Sequence, residues 1–163
     1  MTKAAIGIGS NRGDRLDNIR KSVQLMRAHV GEVILCSDVY ETPPWGVVEQ
    51  PLFLNACTLV ETMLSPHELL GALKRIESTL GRVARERWGP REIDLDILFY
   101  DDLVVSDDIL TIPHALMTER AFVLLPLAQI APNWRHPLAN ATTAELLAGM
   151  DTSEHSAVRI VAL

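Results

Sequence analysis

Apolar residues along this chain repeat with two different periods, and the order in which those periods alternate narrows the fold more than any other feature. Ala4 to Gly9 is an apolar run of strand length, followed by the small and polar turn Ser10-Asn11-Arg12-Gly13-Asp14. From Asp14 onward Leu16, Ile19, Val23, Met26 and Val30 recur at helical spacing, and Gly31 stands where a C-terminal cap belongs. Val33 to Tyr40 reads as a second strand, broken by Pro43, Pro44 and Gly46. In Phe53 to Met63 the alternation sets Leu54, Ala56 and Val60 on one face and Asn55, Cys57 and Glu61 on the other. Ser65-Pro66-His67-Glu68 combines a cap, a first-turn proline and a capping box. Leu69, Leu73, Ile76 and Leu80 follow as an apolar stripe that Gly81 ends. Ile93 to Tyr100 is again a strand. Strand, helix, strand, strand, helix, strand is the order of a ferredoxin-like α+β fold, an antiparallel sheet with helices packed on it.

Past Tyr100 the pattern is thinner. Asp101-Asp102 is expected to turn the chain and Leu103 to Ser106 to pair back as a short strand. Thr118 is a candidate cap for a helix ending near Pro126, and Thr143 for another through Leu147. Val158 to Val161 reads either as an edge strand or as a disordered tail. These C-terminal elements are additions to the central pattern. No repeat, low-complexity tract or long linker interrupts the 163 residues, and 48% hydrophobic residues suffice for one core, so residues 1–163 are expected to form a single domain.

A formal charge of −6 argues against general nucleic-acid binding, which relies on a surplus of Lys and Arg. Cys36 and Cys57 lie in apolar stretches outside any zinc spacing and read as buried thiols. No run approaches the roughly 18 apolar residues of a membrane span, and the N-terminal apolar run is too short for a signal peptide. A cytoplasmic protein without membrane contact is the expectation.

The chemistry concentrates in one stretch, RWGPREIDLDIL. On a strand Asp94 and Asp96 face the same way while Ile93, Leu95 and Ile97 face the core. Roughly 6.6 Å between Cα atoms, at about 3.3 Å per residue, lets the two carboxylates converge on metal ions. Magnesium suits them, because it takes hard oxygen ligands from one or two carboxylates together with substrate phosphates. Two acids at this spacing also decorate solvated strand faces, so the pair alone decides nothing. Immediately upstream, Arg82, Arg85, Arg87 and Arg91 gather in an otherwise acidic chain, and arginine is the residue that grips phosphate oxygens bidentately. Trp88 sits inside that run, where a ring usually packs on a core or a flat ligand. A second cluster, Tyr40-Glu41-Thr42-Pro43-Pro44-Trp45-Gly46 with Phe53 and Asn55, can sandwich and read a heterocycle, or be no more than a structured turn. His114 and Arg120 are ambiguous, and Gly7-x-Gly9 lacks the third glycine of a dinucleotide fingerprint.

Taken together, IGIGSNRGD, YETPPWG, FLNA, RVARERWGPREIDLDILFYDD and IPHALMTERAFVLLPLAQIAP resemble one family, the 6-hydroxymethyl-7,8-dihydropterin pyrophosphokinases of folate biosynthesis. The resemblance runs from about Ala4 to Pro132. It implies a three-layer α/β/α ferredoxin-like fold and transfer of diphosphate from ATP to the pterin hydroxymethyl group, leaving AMP. On the matching motifs, Asp94 and Asp96 correspond to ligands of two magnesium ions and, with Arg82 and Arg91, to catalytic residues. Glu77, Arg82, Arg85, Arg87, Arg91, Ile97, Thr111, His114 and Arg120 correspond to ATP contacts. Thr42, Pro43, Pro44, Trp45, Phe53, Asn55, Trp88, Asp94 and Phe122 correspond to the pterin pocket. The implied partners are ATP and a dihydropterin, and a monomer is expected, with a weak dimer as the alternative. The loop between Arg82 and Arg87 is one residue shorter than in familiar members, and Ile109 and Ala115 stand where some carry an arginine and an aromatic residue. Between glycines 81 and 89 this loop also reads as a lid over ATP.

Two other readings use the same residues. A nucleotidyl transferase or cyclase also sets paired strand carboxylates around magnesium, and a non-catalytic ferredoxin-like module senses small metabolites without transferring anything.

Overall fold

A computed structural model describes residues 1–43, 49–81, 90–150 and 158–163. Among these, strands β1 (Thr2–Ser10), β2 (Gly31–Cys36), β3 (Asp38–Thr42), β4 (Phe53–Thr62), β5 (Asp94–Tyr100) and β8 (Val158–Ala162) form one sheet. Its order is β5-β1-β4-β3-β8, with β2 also on β4, and every pairing is antiparallel. Helices α1 (Arg15–His29), α2 (Pro66–Thr79), α3 (Ala121–Ile130) and α4 (Thr143–Ala148) complete the layers, and β6 (Val105–Ser106) pairs with β7 (Thr111–Ile112) as a small ribbon. Taking β2 and β3 as one interrupted strand gives the ferredoxin-like order expected from the sequence.

Helix α1 starts at Asp14, whose carboxylate accepts from Asp17 N, and α2 starts at Ser65 with both halves of the capping box formed. Ile19, Val23 and Met26 of α1 and Leu69, Leu73 and Ile76 of α2 pack on Ile6, Ile8, Leu54, Ala56, Val60, Leu95 and Ile97. On the opposite face Leu124 and Leu127 of α3 pack with Ala5, Cys57, Leu98, Phe99 and Met117. The sheet therefore carries apolar residues on both faces, and the alternation in β4 divides between the two cores as read.

Four boundaries differ from the sequence reading. Val33 to Tyr40 is two strands rather than one, because the chain breaks at buried Ser37. There the Ser37 hydroxyl accepts from Cys57 N (2.8 Å) and Ser37 N donates to Cys57 O (2.8 Å), so a side-chain oxygen takes the place of a backbone carbonyl. Gly31 opens β2 instead of capping α1, and a Cβ there would lie 2.1 Å from the Glu61 carbonyl oxygen. Helix α3 begins after Arg120 and passes through Pro126 to Ile130. Pro126 removes only the bond its nitrogen would give to the Phe122 carbonyl, and burial of Leu124 and Leu127 outweighs it. Thr142, not Thr143, caps α4, its hydroxyl accepting from Glu145 N at 3.1 Å. In addition, Cys57 is fully buried while Cys36 is only half-buried. The tail forms a strand on β3. No helix among the described residues is long and apolar enough to cross a membrane.

The segment between α3 and α4 is fixed to the end of β5. Trp134 stacks on Phe99 at 4.2 Å and donates from Nε1 to the Asp101 carbonyl. His136, buried beside it, accepts from Leu138 N (3.1 Å) and Ala139 N (3.0 Å) through Nδ1, so that nitrogen carries no proton. Burial holds His136 below the ordinary histidine pKa. The unfolded chain therefore takes up its proton first, and the stabilisation is complete above about pH 6.5 and lost as pH falls below it. His136→Asn, which keeps an acceptor near Nδ1, is expected to hold stability near neutral pH and to flatten part of the decline below about pH 6.5. His136→Ala removes the partner of two part-buried N–H groups and is expected to lose about 1 kcal/mol at pH 7. Denaturant titrations across this range measure both.

Candidate active site

The alternation that directs Leu95 and Ile97 toward α1 and α2 sends Asp94 and Asp96 to the face covered by α3. Their partners across the ladder are glycines. Gly9 pairs with Asp94 on one side and with Asn55 on the other, and Gly7 pairs with Asp96 and Cys57. With no side chains on β1 at these two positions, the middle of the sheet face becomes the floor of a cavity of about 220 Å³. A Cβ on Gly9 would lie 3.1 Å from Asn55 Oδ1, and one on Gly7 would lie 3.2 Å from Leu98 Cδ2. The two glycines, of little weight as a dinucleotide fingerprint, thus open the cavity floor. Their signal was two glycines at i and i+2 on a buried strand, matched by two acids at i and i+2.

The walls differ in chemistry from one end to the other. On the side formed by β3 and β4 stand Thr42, Pro43, Phe53 and Asn55, with Asn55 Nδ2 hydrogen-bonded to the Thr42 hydroxyl and both residues buried, and α3 adds Phe122 and Val123. On the β5 side, across β1, stand Asp94 and Asp96, and Arg91 and Arg120 also line the cavity. Arg120 caps the start of α3, is only 7% exposed, and lies with its guanidinium 5.5 Å from the Phe122 ring centroid. The acids are therefore held on one side of a cavity whose other side is apolar with one amide and one hydroxyl.

Asp96 reports the local excess of negative charge. Burial, then the charges of Asp94 and Glu77, raise its pKa from 3.8 to about 8, against the opposing pull of Arg120 and Lys74. A carboxyl so placed is relieved by a cation, and two carboxylates sharing a pocket with arginines form the hard-oxygen donor set that magnesium takes together with phosphates. The residues present fit that metal.

Other expected contacts lie outside the cavity wall. Ile97 points into the core beneath the sheet, so only its backbone is available to a ligand. Glu77 on α2 is buried and accepts from Leu95 N at 2.8 Å, which satisfies an N–H on the outer edge of β5 between the two aspartates. Thr111 is exposed on β7. His114 is partly buried, and its imidazole is held neutral by burial and by Arg120, with Asp94 opposing. Pro44, Trp45, Arg82, Arg85, Arg87 and Trp88, and with them the expected lid, lie outside the described residues.

Residues 5–132 match the sequence profile of the 7,8-dihydro-6-hydroxymethylpterin-pyrophosphokinase family. The chain belongs to this family. A 2-amino-4-hydroxy-6-hydroxymethyldihydropteridine pyrophosphokinase of Methylorubrum extorquens is 46% identical over 154 residues, which cover 94% of this chain and 96% of that protein. A mitochondrial folate synthesis bifunctional protein of Pisum sativum is 48% identical over 128 residues, but the match spans 78% of this chain and 25% of that one. Among solved structures, a Plasmodium falciparum HPPK-DHPS triple mutant superimposes with a TM-score of 0.76 at 18% identity, over 90% of this chain and 43% of that chain. That likeness concerns the fold, and in both two-part proteins the pyrophosphokinase match occupies less than half the length.

Proposed function

We infer that this chain transfers diphosphate from ATP to 6-hydroxymethyl-7,8-dihydropterin, giving AMP and the pterin diphosphate, in the synthesis of folate. The observation that carries this reading is the polarity of this cavity: a heterocycle side of Thr42, Phe53 and Asn55 on β3 and β4, and a phosphate side of Asp94 and Asp96 on β5, with Arg91, Arg120 and Phe122 completing the lining. A cyclase has no need of a heterocycle pocket besides the one that holds its nucleotide base. A metabolite-sensing module has no use for a carboxyl raised to about 8 among arginines.

In the reaction the hydroxymethyl oxygen forms a bond to the β-phosphorus, the bond from that phosphorus to the α-bridging oxygen breaks, AMP leaves, and the hydroxyl proton is lost. Asn55 and Thr42 hold the heterocycle by hydrogen bonds, while Phe53 and Phe122 wall it, with Pro43, Pro44, Trp45 and Trp88 assigned to the same pocket. Arg91 and Arg120 meet the charge that develops on phosphate oxygens, assisted by Arg82, Arg85 and Arg87 in our reading. Glu77, the Ile97 backbone, Thr111 and His114 are assigned to the nucleotide end. Asp94 and Asp96 would hold magnesium, two ions in this reading, which when bound neutralises polyphosphate charge and orients the reacting oxygens. No side-chain nucleophile is required, because phosphoryl transfer depends mainly on positioning and electrostatics.

Calorimetry tests the arrangement. Pterin binding should depend on MgATP and disappear in Asp96→Ala, and equal pterin affinity with and without nucleotide would count against it. Gly9→Ala is expected to raise the pterin KM about tenfold with little change in unfolding temperature, because the added methyl presses on Asn55 Oδ1 and Phe53. An ATP KM that rises instead would place the heterocycle elsewhere.

A further inference from the structure

Asn11 follows β1, is 1% exposed, and lines none of the described cavity, yet every polar group of its side chain is used. Its Oδ1 accepts from Arg91 N at 2.7 Å, and its backbone N donates to Arg91 O at 3.0 Å. Its Nδ2 donates to Gln50 Oε1 at 2.9 Å and to Pro51 O at 3.0 Å. One side chain thus ties the backbone of the arginine at the phosphate end to the segment that runs into Phe53 at the heterocycle end. We propose that Asn11 is a positioning residue that fixes Arg91 relative to the pterin pocket, so that attacking oxygen and phosphate are brought into register.

Only a short amide meets these demands. Aspartate keeps the acceptor for Arg91 N but sets a second oxygen against the Pro51 carbonyl, serine is too short to span both segments, and leucine has no polar atoms. The bonds join Asn11 to Pro51, 40 residues further along the chain, and to Arg91, 80 residues further along, so they restrain relative placement rather than local conformation. Independent bonds keep the neighbouring chain in place without Asn11. Asn18 Nδ2 donates to the Glu92 carbonyl at 3.0 Å and to the Arg12 carbonyl at 3.1 Å. Loss of the Asn11 amide is therefore expected to loosen the register of the site while leaving the fold standing, and a displacement near 1 Å at a reacting centre lowers rate by about a hundredfold.

The inference rests on the pyrophosphokinase reading, and steady-state kinetics with ATP and hydroxymethyl-dihydropterin separate the two. Wild-type protein that makes no AMP would refute the reading itself. Given wild-type turnover, Asn11→Ala should lower kcat per titrated active site at least tenfold and raise the pterin KM at least tenfold. Asn11→Asp should restore kcat to within about threefold, because the Arg91 bond returns, while the pterin KM stays raised. A residue that merely supports folding would lower the active fraction and the unfolding temperature but leave both KM and per-site kcat unchanged in each variant. That result would overturn the proposal, as would an aspartate variant impaired in kcat as much as the alanine one.

Discussion

Asp96→Asn is expected to reduce turnover by about a thousandfold while making the protein harder to unfold. The loss follows from its place at the phosphate end, where removing a single preorganised charge or donor typically removes two to three orders of magnitude in rate. The gain follows from its pKa. In the unfolded chain the carboxyl ionises near 3.8, and in the fold it resists ionisation until about pH 8, chiefly because it is buried and secondarily because Asp94 and Glu77 are already charged. A folded-state pKa above the unfolded one gives stability that is complete below the lower value and is lost as pH rises through the higher. The amide does not ionise, so its advantage should be absent at acid pH, grow between about pH 4 and 8, and then level. Near neutrality an increase of a few degrees in Tm is expected for a chain of this size. Parallel thermal melts at acid and neutral pH, without metal, read the effect. A variant that is inactive but less stable at neutral pH would mean that Asp96 supports the fold rather than carrying a burden for function.

Arg91→Ala is expected to lower kcat by two to three orders of magnitude while changing the pterin KM by no more than a few-fold. It lines the same cavity as the aspartates, whereas Thr42, Phe53 and Asn55 build the heterocycle side. An interaction made mainly with charge that develops during transfer affects the rate and not ground-state affinity. Arg91→Lys should recover little, since a point charge on a flexible stem cannot reproduce the planar fork. If turnover survived in Arg91→Ala and pterin affinity fell instead, the arginine would belong to the other end of the cavity.

Much of this arrangement was legible in the sequence, because a half-buried strand has an unambiguous period and caps have local signatures. The face shared by Asp94 and Asp96 followed from alternation alone, and the capping box at Ser65 formed as its residues dictate. What was not legible depends on partners far away in the chain. The break at Ser37 needs Cys57 opposite it, and nothing within Val33 to Tyr40 announces that a hydroxyl will replace a carbonyl. Pro126 looks like a helix end until the buried positions on either side are known to outweigh one lost bond. Gly7 and Gly9 fit no dinucleotide fingerprint. Their meaning lay in the antiparallel register that sets them between Asn55, Asp94 and Asp96, which no local motif encodes. Asn11 and Glu77 belong to the same class, since each acts through a bond to a residue distant in sequence.

The resemblance to pyrophosphokinases supplied the substrate, and the geometry gave it two ends of a cavity. That division of the cavity bears directly on the product. A hydroxyl placed to meet the β-phosphorus leaves AMP, while one that meets the γ-phosphorus leaves ADP. Incubating the protein with MgATP and 6-hydroxymethyl-7,8-dihydropterin and separating the nucleotides decides between them: AMP should appear in equal amount with pterin diphosphate, and ADP with a pterin monophosphate, or no pterin-dependent nucleotide product, would contradict the account.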